Sequence, residues 1–237
     1  MLGTAVSRLS LLLVTAGMTV PLHAALIEGA FSFNGTLRVI SPRDFDFFPL
    51  GAGQGNFITG AGGFAGDFIG SELTGGTVKD VMGPDPGPVN IPNFITLKAF
   101  PTYAFTATNI NAGIFGSGAC NAPAAKGQTC TIPGGLGNFT NLTATSSQAS
   151  FAFTGTVSDG SGDPPSDFLV TFTATFSDKS YQKVFSEVAA KKFIDTSFAA
   201  DVFVFPPQSQ VPEPASVLGV GCGLAALGLL GRRFRQS

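Results

Sequence analysis

The side chains of this 237-residue chain that could do chemistry are carboxylates, hydroxyls and cysteines, because the sequence holds a single histidine, His23. His23 falls in a leader that reads as removable, so the mature chain is expected to carry no imidazole. Zinc sites built on histidine, Ser-His-Asp and Cys-His hydrolases, and zinc deaminases then have no base or ligand to work with. Phe115-Gly116-Ser117-Gly118 lacks the glycine spacing of a nucleophile elbow. Gly51, Gly53 and Gly55, like Gly60, Gly62, Gly63 and Gly66, have neither the Lys-Ser/Thr of a phosphate loop nor a following helical pattern. They read as tight turns.

What remains for hydrolysis is paired carboxylates, Asp44 with Asp46 or Asp80 with Asp85. General acid work needs one carboxyl in an apolar cleft and a partner roughly 5 to 9 Å away, a geometry the sequence does not supply. The expectation is therefore a non-enzyme with no catalytic residue and no cofactor. Asp159, Ser161 and Asp163, with Asp167 close by, place oxygen atoms at spacing two among glycines. That is a weak calcium candidate, and a solvated hairpin turn is the competing reading. Cys120 and Cys130, with nine residues between them in a stretch with Pro and Gly, read as a disulfide closing a surface loop. A redox-active pair would call for Cys-x-x-Cys.

These residues need a scaffold, and the scaffold reads as strands. Phe31, Phe33, Leu37 and Val39 alternate along residues 30–40. Further short strands follow around Phe45 to Phe48, at 56–59, 64–69 and 76–81, then 94–97 and 103–107, with a turn-rich Met82 to Pro88 between them. Residues 139–145, 149–158 and 168–176 continue the pattern. Phe151, Phe153, Phe168, Phe172 and Phe176 stand at even spacing with Thr and Ala between. Tyr181 to Phe193 breaks the period and reads as one helix, with Tyr181, Val184, Phe185, Val188 and Ala189 on a stripe. The final strand, 198–205, has apolar residues on both sets of positions and reads as buried on both sides or twisted. Phe is expected mostly as core filling. The fold expectation is mainly β: a two-layer β-sandwich or jelly-roll-like domain with one short packed helix, flanked by two apolar terminal helices.

The ends carry an address. Arg8, the apolar Leu9 to Leu22 and His23-Ala24-Ala25 read as a secretory signal over 1–25. Residues 26–205 form the β-rich exported domain, 206–216 a linker, 217–231 a C-terminal transmembrane segment and 232–237 a basic cytoplasmic tail. Between Leu26 and Val211 stand 9 Lys/Arg against 14 Asp/Glu, a net charge near −5 with no basic patch, so nucleic acid is not an expected partner.

Val211-Pro212-Glu213-Pro214, the apolar run Val217 to Gly231 and the terminal Arg232, Arg233 and Arg235 resemble the bacterial PEP-CTERM sorting tail. Segments of the body, including Phe33-Asn34-Gly35-Thr36-Leu37 and Phe172-Thr173-Ala174-Thr175-Phe176, are similar to exported proteins of that group that have no assigned chemistry. The resemblance implies recognition of Pro212-Glu213-Pro214 by an exosortase-type sorting enzyme, with Arg232, Arg233 and Arg235 as the membrane stop. It implies signal peptidase, that enzyme and the inner membrane as partners, and extracellular polysaccharide as a further candidate. The localisation expected is membrane-anchored before processing, then cell-surface or extracellular. The function expected is structural or adhesive, in association with exopolysaccharide. A carbohydrate-binding module is the alternative, and an extracellular glycan-active enzyme the second alternative.

Overall fold

Alternation becomes architecture first in β1 (Gly29–Ser41), where Phe31, Phe33, Leu37 and Val39 are buried and the residues between them are not. The computed structural model describes residues 26–207. After β1 come β2 (Asp44–Phe47), β3 (Gln54–Thr59), β4 (Ala65–Gly66), β5 (Gly76–Lys79), β6 (Val81–Met82), β7 (Gly87–Leu97) and β8 (Ala104–Ile110). Then follow β9 (Thr129–Cys130), β10 (Gly137–Asn141), β11 (Ser147–Ser158), β12 (Ser166–Phe176), α1 (Tyr181–Lys191) and β13 (Ile194–Phe205).

Eight of these strands form a ring. β1, β3, β5, β7, β8, β11, β12 and β13 pair antiparallel, each with the next in chain order, and β13 returns to pair with β1 from Gly29↔Val204 to Val39↔Ile194. This is a closed up-and-down barrel. The expected sandwich or jelly roll is corrected accordingly. Period-two burial says that one face of each strand is covered, and it is equally met by a sheet stacked on another sheet and by a sheet closed on itself. The two apolar helices expected at the termini lie outside the described residues.

An eight-stranded barrel is just wide enough for side chains to fill. Here phenylalanine fills it. The Phe172 ring, fully buried, lies 5.0 Å from Phe151, 5.6 Å from Phe47, 5.7 Å from Phe198 and 5.8 Å from both Phe33 and Phe153, centroid to centroid. Each such ring contributes about 1.5–3 kcal/mol by leaving water.

Both ends of the barrel are plugged. At one, Phe68 sits 4.8 Å from Phe31, and Thr59 pins the plug by donating its hydroxyl to the Ser71 carbonyl while accepting the Thr74 amide at 3.0 Å. The strand expected over 64–69 is thus mostly turn. Gly66, at φ 62°, and the bonds Phe68 N–H to Ala65 O and Ser71 N–H to Phe68 O curl the chain inward. Conversely β7 begins at Gly87, inside the Met82 to Pro88 stretch that reads as a turn. Pro88 and Pro92, which have no backbone N–H to donate, fit because the β7–β8 register breaks between Pro88 and Ile91 and again between Ile91 and Ile95.

At the other end lies α1, capped at both ends: Ser180 accepts the Lys183 amide, and Lys192 closes the C-terminus in a left-handed conformation. Glu187 gathers Lys179, Lys183 and Lys191. Nearby, Arg38 of β1 bonds both carboxylate oxygens of Asp195 across the β1–β13 seam, at 2.6 and 2.8 Å. The hydrogen bond from Lys179, then the charges of Lys191 and Lys183, hold Glu187 below the usual carboxylate range, and the Arg38 bond does the same for Asp195. Both groups bind protons more weakly folded than unfolded. Their stabilisation is complete above the unfolded values near 4 and is lost as pH falls through the lower folded values. Melting temperature should therefore decline below about pH 4, and Glu187→Gln should flatten that decline. A melt series across pH 3 to 7 on both proteins reads it directly.

Among the described residues no helix is long and apolar enough to cross a membrane. The 11 residues of α1 span about 16 Å against a hydrocarbon core of about 30 Å, and the helix carries Lys183, Glu187 and Lys191. This corrects the expected transmembrane character, the inner-membrane and sorting-enzyme partners, and the membrane-anchored localisation, for which the described chain offers no span. Residues 217–231, where that span was expected, lie outside the described residues, as do the signal 1–25, Val211 to Pro214 and the Arg232, Arg233 and Arg235 cluster.

Candidate functional site

With its interior filled and its ends plugged, the barrel offers a partner, among the described residues, its outer face, its loops and the flank of α1. The outer face of β12, β13 and β1 carries the most organised surface. On β13 the inward set Phe198, Ala200, Val202 and Val204 is buried, whereas Phe203 is 52% exposed and Phe205 41% exposed. Of the two sequence readings of this strand, buried on both sides or twisted, the first is corrected: its second apolar set faces water.

Register then places neighbours around the two rings. Phe203 stands between Leu169 on β12 and Ala30 on β1, and Phe205 stands opposite Asp167. The adjoining row is Thr171, Asp201 and Ser32, and the next is Thr173, Ala199 and Asn34. Strand geometry sets the backbone positions of the two residues roughly 7 Å apart on one face. The result is an apolar strip bordered by hydroxyls, an amide and two carboxylates. Such a surface can stack the apolar face of a ring-shaped polar molecule while hydrogen-bonding its edge. Sequence reading missed it; the signal was the second apolar set of β13, which without the fold had no direction.

The carboxylates singled out for chemistry are engaged elsewhere. Asp44 accepts the Ser41 hydroxyl, Asp46 accepts the Gly51 amide at 3.2 Å, and Asp80 accepts the Phe47 amide at 2.8 Å. Burial pushes the Asp80 carboxyl up, opposed by the Phe47 hydrogen bond and reinforced by the charge of Asp46. Asp46 and Asp80 thus hold the turn between β2 and β3. Asp85 is separate and exposed, paired with Arg43 at 2.6 Å.

The weak calcium candidate forms the β11–β12 hairpin turn. Asp159 accepts the Ser161 amide at 2.9 Å and Asp163 accepts the Ser161 hydroxyl at 2.8 Å, while Gly160 and Gly162 take positive φ. Asp167 lies beyond the turn, on the outer face beside Phe205. Among the described residues no three His, Cys, Asp or Glu side chains converge on a metal position.

Cys120 and Cys130 are joined, with Cα atoms 5.2 Å apart. The loop they close is the clasp of α1. Tyr181 donates its hydroxyl to the Ala119 carbonyl at 2.8 Å, and the Gln182 amide donates to the Ala122 carbonyl and to Gln128 Oε1, both at 3.1 Å. Asn141 accepts the Tyr181 amide at 2.9 Å and donates to Gln182 Oε1. Replacing both cysteines with alanine should cost about 2–3 kcal/mol by the chain-entropy argument. Amide exchange should accelerate at Tyr181 to Val184 more than in β12, which hydrogen-exchange mass spectrometry resolves.

Compared with protein-family models, characterised proteins and solved structures, this chain matches none. What fold and surface define together is a class: a phenylalanine-filled, eight-stranded up-and-down barrel whose exposed chemistry is an aromatic strip on its outer wall.

Proposed function

We propose that the domain is a carbohydrate-binding module and that Phe203 and Phe205 are its stacking platform. The observation that carries the reading is the exposure of two rings on one strand face, flanked in register by Thr171, Asp201, Ser32 and Asp167. Pyranose rings present apolar C–H faces and hydroxyl edges, which suits rings flanked by acceptors and donors. Two carboxylates in the strip and a net negative chain disfavour anionic polymers, so the ligand class is a neutral polysaccharide. The disulfide clasp suits an oxidising compartment. The likeness of the C-terminal sequence to a sorting tail is compatible with this reading and does not carry it.

The test is affinity electrophoresis and calorimetric titration of the full chain against neutral glucans, with alginate as the anionic comparison. Binding to a neutral glucan, weakened at least tenfold by Phe203→Ala or Phe205→Ala with unchanged melting temperature, is the expected result. Absence of retardation by every neutral glycan, or equal binding by parent and variants, overturns it.

A further inference from the structure

A second surface, remote from the aromatic strip, has the form of a small-molecule site. Between α1, the end of β1 and β10 lies a half-open cleft of about 390 Å³, walled by Ile40, Pro42, Phe139, Phe185 and Val188, with Lys192 at its mouth. Small-molecule sites run from about 300 to 1,000 Å³ and are lined mainly by apolar side chains with few polar groups.

The cleft is not general looseness. The neighbouring core is closed: Val184 and Tyr181 are buried at the seat of the helix, and the Phe139 and Phe185 rings meet edge to face at 4.7 Å. Native interiors leave few voids wider than water. The gap opens because α1 is fastened at its first turn, through Tyr181, Gln182 and Asn141, while Val188 in its last turns is only partly covered and Ala189 is exposed.

Charge selects the occupant. Lys179, Lys183 and Lys191 all pair with Glu187, whereas Lys192, at the mouth, has no carboxylate partner among the described residues. An apolar slot ending at an unneutralised ammonium fits a molecule with an apolar body and an anionic head. We infer that this cleft binds a medium-chain carboxylate, its alkyl chain against Phe139, Phe185 and Val188 and its head group on Lys192. The inference is independent of the carbohydrate reading, since no residue is shared.

The test uses the full chain titrated calorimetrically with decanoate, with decanol as the neutral probe and butyrate as the short one. Decanoate is expected to bind saturably at one site per chain, with butyrate at least tenfold weaker. Val188→Trp, which fills the slot, should abolish decanoate binding. Lys192→Gln, a surface change that leaves the fold intact, should weaken decanoate at least threefold and leave decanol unchanged. No saturable decanoate binding to the parent protein at 1 mM overturns the site, and equal behaviour of decanoate in parent and Lys192→Gln overturns the anionic assignment.

Discussion

Phe172→Ala is expected to remove about 3–5 kcal/mol of folding stability, measured as the shift in urea midpoint at constant slope. The ring is fully buried on β12 and stands within 6.2 Å of six others, Phe33, Phe47, Phe94, Phe151, Phe153 and Phe198. Truncation to a methyl group forfeits the transfer of the ring and leaves a void that six rigid neighbours on five other strands cannot close together. The cost is a large fraction of a typical domain's roughly 5–15 kcal/mol. Phe172→Leu retains part of the volume and should cost less. Phe203→Ala, on the outer wall, should stay within about 0.5 kcal/mol of the parent, since a surface ring loses little on truncation. A loss below 1 kcal/mol for Phe172→Ala would mean that the barrel interior is not packed as described.

The second large effect needs only one carbon. Gly155→Ala would put a Cβ 2.0 Å from the Thr106 carbonyl oxygen and 2.7 Å from the Phe168 ring, where β11 meets β8. The Phe168 ring could turn aside, but a backbone oxygen in a strand pairing cannot. The β8–β11 register already shifts between Thr154 and Gly155, so the seam has little slack to take up the displacement. Overpacking costs typically about 1–3 kcal/mol, and a backbone clash of this depth belongs at or above the top of that range. Exchange protection should fall first in Ala104 to Ile110. Gly116→Ala, where an added Cβ meets nothing within 4 Å, is the matched control and should leave stability unchanged. Equal melting of the two variants would contradict the close approach of β8 and β11.

Ser166 gives a smaller effect of opposite sign. Its hydroxyl, at the start of β12, is the one buried side-chain oxygen without a partner among the described residues. Ser166→Ala removes an unmet hydrogen-bonding group, and stability by urea denaturation should hold or rise by up to about 1 kcal/mol.

Local pattern carried a good deal of this molecule. The alternation of Phe31, Phe33, Leu37 and Val39, or of Phe168, Val170, Phe172 and Ala174, marks a strand with one covered face because side chains in an extended chain must point to opposite sides. The stripe Tyr181, Val184, Phe185 and Val188 marks a helix by the same kind of local geometry, and the spacing of Cys120 and Cys130 marks a closed loop. Where local signals conflicted, the turn bonds around Gly66 settled residues 64–69, and the breaks in the pairing with β8 settled the prolines of β7.

Closure of the sheet had no local sign at all. Whether β13 pairs with β1, some 160 residues away, depends on the sum of many weak register contacts and on the sheet's accumulated twist. That closure turns Phe198 and Val202 inward and leaves Phe203 and Phe205 facing water, beside Asp167 and Asp201. The sequence by itself therefore determined the strand periodicity, the helix α1 and the disulfide loop; the tertiary structure alone decided the barrel, the aromatic strip and the cleft beside α1, because a side chain's period is set by its own backbone but its surroundings are set by strands remote in the chain.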